Sequence, residues 1–293
     1  MDRLGIRAED DPIRRSLLFV PAVRPDRYPK ALATGADAVC IDLEDGVALE
    51  AKDSARGQAL NILANRSLTR AEVSLRINDV KTTLGQTDLA ELVNSGVRPD
   101  ALMLPKVSGE DEIKHVESVL ASRSETVPLI VQIETARGLS AATEIAGASS
   151  NISALFFGAI DLSSDLGCAV EWEALLYARS QVVLAASLAG ISALDSPFMN
   201  VQSVDALAEE SRQVRRLGFV GKAAIHPSQV SVIQQSFSPS VEEILWAKKI
   251  VAAYEQQQGG VLLVSGQLIE RPVIRTARRM LSTASRLGDK QRS

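Results

Sequence analysis

A chain of 293 residues, 46% hydrophobic and 23% charged, carries enough apolar material for one large packed core with room for a smaller extension. Its 32 Lys and Arg against 36 Asp and Glu leave a formal charge of −4, and no basic block marks a nucleic-acid surface. No apolar run is long enough to span a bilayer, residues 1–15 lack a signal core, and the two cysteines, Cys40 and Cys168, have no His neighbours at zinc spacing, so a soluble cytoplasmic protein without membrane or nucleic-acid partners is expected.

In chain order, short apolar runs recur at 16–22, 38–44, 73–78, 101–107, 128–134, 154–160, 191–198 and 221–227, their starts 22 to 37 residues apart. Each is continuously apolar, the pattern of a strand buried on both faces of a parallel sheet. Helical spacing appears between them, in Leu89, Leu92 and Val93, in Ile113, Val116 and Leu120, in Leu175, Val182 and Leu188, and in Val204, Leu207, Val214 and Leu217. Gly96, Gly190 and Gly218 follow such stretches, where a helix end favours glycine. Eight strand–helix repeats predict a (β/α)8 barrel over residues 1–238, with an open doubly wound sheet as the alternative. From 239 the rhythm changes: a helix over 242–258, a hairpin over 261–269 with turns at Gly259-Gly260 and Gly266, and an Arg-rich helix over 271–287. Residues 239–293 are expected to form a lid, an oligomer arm, or both.

In a barrel of this kind the chemistry sits where the strands end. The predicted ends carry Arg24, then Asp42, Glu44 and Asp45, then Arg76, Lys106, Glu134, Asp161, Asp195-Ser196-Pro197 and His226. Glu134 and Asp161 close two apolar runs before glycine-containing segments. Two carboxylates so placed suit a hard cation that takes oxygen ligands and keeps water or substrate oxygens, which points to Mg²⁺. Arg76 is the anchor for a substrate anion, since a guanidinium grips a carboxylate with two parallel bonds and stays charged. Asp42 and Glu44 are candidates for proton transfer, or for orienting Arg76 and Lys106. Lys106, Ser196 and Pro197 complete the expected substrate-binding rim, and His226 reads as a supporting hydrogen-bond partner.

These ends, in this order, resemble the HpcH/HpaI aldolase and citrate lyase superfamily, closest to its citrate lyase β-subunit-like branch, which includes malyl-CoA and citramalyl-CoA lyases. The resemblance rests on Ser-Leu-Leu-Phe-Val-Pro-Ala at 16–22, Ile-Asp-Leu-Glu-Asp-Gly-Val at 41–47, Leu-Arg-Ile-Asn at 75–78, Leu-Pro-Lys at 104–106, Ile-Glu-Thr-Ala-Arg-Gly-Leu at 133–139, Phe-Gly-Ala-Ile-Asp-Leu at 157–162 and Ala-Ile-His-Pro-Ser-Gln at 224–229. It implies a barrel assembled as trimers or hexamers, Mg²⁺ on Glu134 and Asp161, Arg76 on the substrate carboxylate, and a coenzyme A thioester at the barrel mouth with Arg24 near its phosphates. It further implies that the C-terminal lid of a neighbouring subunit supplies an acid. The family's lid Asp is replaced here by Glu270, and the residue before the metal Asp, often acidic, is Ile160. The activity implied is Mg²⁺-dependent cleavage of a β-hydroxyacyl-CoA, with citramalyl-CoA giving pyruvate and acetyl-CoA as first choice and malyl-CoA or a citryl thioester as alternatives. A metal-dependent pyruvate aldolase without coenzyme A, and a non-catalytic coenzyme A-binding subunit, are the rival readings.

Overall fold

The computed structural model describes residues 12–121, 126–256, 262–264 and 267–292. Eight parallel strands close into a barrel in sequence order: β1 (Ser16–Pro21), β2 (Ala38–Asp42), β3 (Glu72–Arg76), β4 (Ala101–Leu104), β5 (Leu129–Ile133), β6 (Ile152–Phe157), β7 (Ser192–Asp195) and β8 (Gly221–Ala224), with β8 pairing back onto β1. The eight predicted strands are all present, which makes the fold a (β/α)8 barrel. Around them run α1 (Tyr28–Ala33), α2 (Lys52–Asn65), α3 (Thr83–Ser95), α4 (Glu110–Leu120), α5 (Ala136–Ser140), α6 (Ala142–Gly147), α7 (Ala159–Leu166), α8 (Trp172–Ala189), α9 (Val204–Leu217) and α10 (Pro227–Phe237).

The continuous apolar character of the strands follows from their two buried faces. One face turns to the helices, where Val39, Ile41, Val73, Leu75, Leu102, Leu129, Val131, Leu155 and Phe157 belong to the large outer core. The other turns to the barrel axis, where Leu17, Ala38, Cys40, Ala101, Met103, Ile130, Ala154, Phe156, Leu194 and Ala223 fill the interior. Small residues set against large ones let these inner layers interlock. Side chains alternate along a strand, so the inward series Ala38, Cys40 continues to Asp42, and Ile130 continues to Gln132 and Glu134. The polar residues of the barrel mouth are the top rung of the same ladder that builds the core.

Helix ends obey local rules. Thr82 caps α3, its hydroxyl accepting from the Gly85 amide at 3.2 Å, and the helix stops at Gly96 with φ +71°. Among the described residues no helix is long and apolar enough to cross a membrane.

The chain divides into two units, one of Asp11–Phe237 and a second that contains the residues from Ser238 on. It contains α11 (Val241–Gln256), the antiparallel pair β9 (Leu262–Val264) and β10 (Gln267–Ile269), and α12 (Arg271–Arg292). Its own small core is built from Ala247, Ile250, Ile269, Ile274 and Ala277. Glu270 lies exposed just before α12, its carbonyl accepting from the Val273 amide at 2.9 Å. Gly259, Gly260 and Gly266 lie outside the described residues.

Candidate active site

A cavity of about 860 Å³ opens at the C-terminal end of the strands. Of the residues expected there from sequence, Arg24, Asp42, Arg76, Glu134, Asp161, Ser196, Pro197 and His226 line it, as does Asp45. Glu44 and Lys106 do not. They are engaged with each other through a short ion pair between the Lys106 ammonium and Glu44 Oε1. Glu270 belongs to the other unit.

Arg76 is clamped from one side. Its Nε and Nη2 donate to the two oxygens of Asp42 at 2.7 and 2.8 Å, across a register in which the two residues are paired on β2 and β3. Nη1 lies 3.0 Å from Glu44 Oε2, and the guanidinium stacks 4.6 Å over the Phe19 ring. Asp42 is fully used: besides Arg76 it accepts from the amides of Glu44 at 2.9 Å and Gly46 at 2.9 Å. A side chain at Gly46 would strike Asp42 Oδ2 at 2.6 Å, so glycine keeps this turn tight. The carboxylates of Asp42 and Glu44 hold the charge on Arg76 firmly, its pKa lying above the ordinary value despite burial.

Glu134 is 0% exposed. Its Oε1 accepts from the Lys106 amide at 2.8 Å and its Oε2 from Gln132 Nε2. Lys106 takes a left-handed backbone, φ +55°, a conformation that a non-glycine residue adopts at a cost of about 1–2 kcal/mol. That geometry aims its amide at Glu134 and its ammonium at Glu44, with Asp45 and Asp161 each 3.6 Å away. Burial, with Glu44 and Asp161 nearby, pushes the Glu134 carboxyl up to about 8. Burial also raises Glu44 to about 7, against the pull of Arg76 and Lys106. Against the effect of its burial, Glu44, Glu134 and Asp45 hold Lys106 above its ordinary range.

Asp161 does not end a strand. β6 stops at Phe157, Gly158 turns the chain, and Asp161 sits in the first turn of α7 with its side chain 35% exposed. Gly158 is required by Glu134, because a Cβ there would come within 2.5 Å of both Glu134 Cβ and Oε2. Asp165 accepts from the Ala136 amide at 2.7 Å and so tethers α7 to the start of α5.

Asp195 departs from the expected rim. It faces the helix layer, fully buried, between Arg179 of α8 at 3.0 Å and Lys222 of β8, whose ammonium also meets Glu210 of α9 at 2.6 Å. The outward positions of β7 and β8 place this pair away from the cavity, and its cations hold Asp195 below the usual carboxylate range. Only the next residue, Ser196, turns inward. His226 is exposed, its Nδ1 2.8 Å from the Ser228 hydroxyl. Gln132 and Phe19 were not singled out from sequence, although both fall on inward positions of their strands and the alternation alone identifies them.

The donor set suits a hard cation. Glu134 and Asp161 offer only oxygen, each oxygen of Glu134 keeps a lone pair beyond its single hydrogen bond, and no group of three or more His, Cys, Asp or Glu able to hold a metal occurs among the described residues. Two carboxylates with the remaining positions left to water and substrate is how Mg²⁺ binds, and unlike a zinc site. The rim adds three cations, Arg24, Arg27 and Lys30, Arg24 being paired with Asp26 at 2.9 Å.

Residues 15–227 match the model of the HpcH/HpaI aldolase/citrate lyase family. The citrate lyase subunit beta of Leuconostoc mesenteroides subsp. cremoris is 32% identical over 93% of this chain and 94% of its own length. The mitochondrial citramalyl-CoA lyase of Homo sapiens is 31% identical over 94% and 87%. The crystal structure of CitE from Mycobacterium tuberculosis in complex with magnesium, acetoacetate and coenzyme A superimposes with a TM-score of 0.79 at 32% identity, covering 95% of this chain and all of that one. The chain belongs to the HpcH/HpaI aldolase/citrate lyase family.

Proposed function

We propose that this carbon–carbon lyase cleaves a β-hydroxyacyl coenzyme A thioester with Mg²⁺ held by Glu134 and Asp161, and that citramalyl-CoA, giving pyruvate and acetyl-CoA, is its substrate. The observation that carries the reading is the convergence of both carboxylates on Lys106, whose amide bonds Glu134 and whose ammonium lies 3.6 Å from Asp161, at the edge of a cavity with a basic rim. The relatives named as citrate lyase subunit beta and as citramalyl-CoA lyase support the thioester class.

When bound, Mg²⁺ supplies a Lewis acid that polarises the substrate's hydroxyl oxygen and adjoining carboxylate. Arg76 keeps one N–H on each Nη after Asp42 and Glu44 are served, enough to grip that carboxylate. Asp42 acts on Arg76, with all its bonds committed to holding the guanidinium. Glu44 and Lys106 neutralise each other beside the metal ligands and fix the loop that carries Lys106. Arg24, Arg27 and Lys30 offer charge to the coenzyme's phosphates. Cleavage leaves the bonding pair on the thioester enolate while the hydroxyl gives up its proton to water in the open cavity and becomes a carbonyl. Glu270 of a neighbouring copy is assigned the proton delivered to the α-carbon, its longer arm in place of the family's Asp.

The test is release of pyruvate from citramalyl-CoA by the full-length protein. Turnover that stops with a chelator and returns with Mg²⁺ is expected. Absence of turnover with citramalyl-CoA would overturn the substrate, and absence with malyl-CoA and citryl thioesters as well would overturn the reaction class.

A further inference from the structure

Glycines aside, Lys106 alone among the described residues has a positive φ, +55°. A residue with a long side chain keeps such a backbone only where its surroundings over-determine it. They do so here. The Lys106 carbonyl accepts from Lys81 Nζ at 2.8 Å, and the same ammonium reaches Ser108 Oγ at 3.2 Å. Glu112 Oε1 accepts from the Ser108 amide at 3.0 Å and from its hydroxyl at 2.7 Å. The Val107 carbonyl packs against Gly138 so closely that a Cβ there would come within 2.3 Å of it. With the Lys106 amide donating to Glu134 Oε1 at 2.8 Å, the loop is pinned on both sides of its strained residue.

Glycine would adopt this backbone without strain and would offer Glu134 the same amide. What it lacks is the ammonium. That ammonium pairs with Glu44 Oε1 and lies 3.6 Å from Asp45 Oδ1 and 3.6 Å from Asp161 Oδ1. Buried Glu134, which feels the charges of Glu44 and Asp161, makes a fourth carboxylate at this corner. Arg76 answers Glu44 at 3.0 Å and Asp45 at 3.7 Å, while Lys106 is the cation that reaches Asp161.

We propose that the Lys106 side chain is a resident countercharge that holds Asp161 in place and sets how tightly the divalent cation binds; this rests on the reading above, which gives that cation to Glu134 and Asp161. The ammonium and the divalent cation draw on the same carboxylate. A fixed positive charge beside a cation site weakens binding there, and Glu44 and Asp45 keep this one from leaving. The same charge offsets the mutual repulsion of the carboxylates before the cation arrives. Lys106 does not line the cavity, so it is a positioning residue, acting through the metal ligands and not on the substrate. The sign of its effect is distinctive. A lysine that only braced the loop would, when removed, loosen both ligands and weaken cation binding. A countercharge, when removed, strengthens it.

Mn²⁺ binding to the full-length protein is followed by electron paramagnetic resonance, with thermal midpoints taken with and without the ion. Lys106→Met deletes the charge and keeps the amide on Glu134. It is expected to bind Mn²⁺ about tenfold more tightly than the unaltered protein and to melt at a lower temperature without the ion. Lys106→Arg keeps the charge and should return the affinity to that of the unaltered protein. Weaker or unchanged binding in folded Lys106→Met would overturn the proposal, as would Lys106→Arg binding as tightly as Lys106→Met. Should Lys106→Met fail to fold, Lys106→Gly decides by the same sign, since glycine takes the left-handed backbone freely. The metal site itself has a separate control. The unaltered protein should bind one Mn²⁺ that Glu134→Gln loses, and failure there sinks the reading above whatever Lys106 does.

Discussion

Arg76 shows how a charged residue is made into a fixed tool. Asp42 takes its Nε edge, Phe19 lies under its plane, and Glu44 holds one terminal nitrogen. A lysine keeps the charge but not the paired geometry, so Arg76→Lys is expected to lower kcat/KM by roughly 10- to 100-fold, the worth of a charge-assisted hydrogen bond. Steady-state kinetics with the thioester substrate check this. Glu134 yields a pH prediction. Its folded pKa is raised to about 8 from an ordinary 4.5, so in the metal-free protein it contributes stability below 4.5 that is lost as pH rises through 8. A divalent cation needs the carboxylate and must displace that proton. Apparent affinity for Mg²⁺ should weaken by about tenfold per pH unit on going down from 8 to 6, and calorimetric titration at three pH values measures it. At this scale much was legible in the sequence. Glu134, Arg76 and Asp42 stand at the ends of apolar runs, where a carboxylate or guanidinium has no reason to be unless the strand has reached the mouth. Gln132 is legible only through the inward alternation of its strand, since an uncharged amide within an apolar run draws no notice by itself.

The elements follow the same logic with different blind spots. Strands buried on both faces advertise themselves, and all eight were found. α2 was not, because its buried face is made of Ala55, Arg56, Ala59 and Leu63, too small or too polar to register as an apolar stripe. Arg56 is accommodated there by Asp88 at 2.6 Å and Asp53 at 2.7 Å. α5 and α6 are too short to show a period at all. Asp161 was read as the end of a strand since Phe157 to Leu162 is nearly all apolar, yet Gly158 ends the strand and the next residues wind into α7. Asp195 was read as part of the rim because sequence position does not say which face a strand-final residue takes. Its true role is in the wall between sheet and helices, with Arg179 stacked on Phe157 and Trp172 beside it. Asp195→Ala leaves Lys222 and Arg179 buried without their shared partner, so a loss of about 3–5 kcal/mol is expected in urea unfolding. A loss under about 1 kcal/mol would mean that Glu210 alone suffices for Lys222.

For the molecule as a whole, the proposal requires copies to meet, since Glu270 belongs to the C-terminal unit and is assigned to a neighbour's cavity. Tyr177, Leu184 and Leu188 lie seven and four residues apart on α8, each more than half exposed, an apolar stripe of the kind that subunit contacts use. Light scattering is expected to give three or six times the 31.4 kDa chain mass. A shared site also predicts complementation. Glu270→Ala and Arg76→Ala proteins, each nearly inactive, should recover activity when dissociated and reassembled together, because some sites then draw both intact residues from different chains. Recovery no greater than in the unmixed proteins would place Glu270 outside the reaction. The strand–helix rhythm breaks from residue 239, but a partner's contribution leaves no periodic trace in one chain.

Mn²⁺ binding followed by electron paramagnetic resonance bears most directly on the metal site. One bound ion per chain is expected in the unaltered protein. Glu134→Gln and Asp161→Asn, with thermal midpoints showing them folded, should each weaken that binding by at least about 100-fold, beyond the 10- to 100-fold typical of losing a supporting partner. Unchanged binding in either folded variant would mean that the two carboxylates do not share a cation.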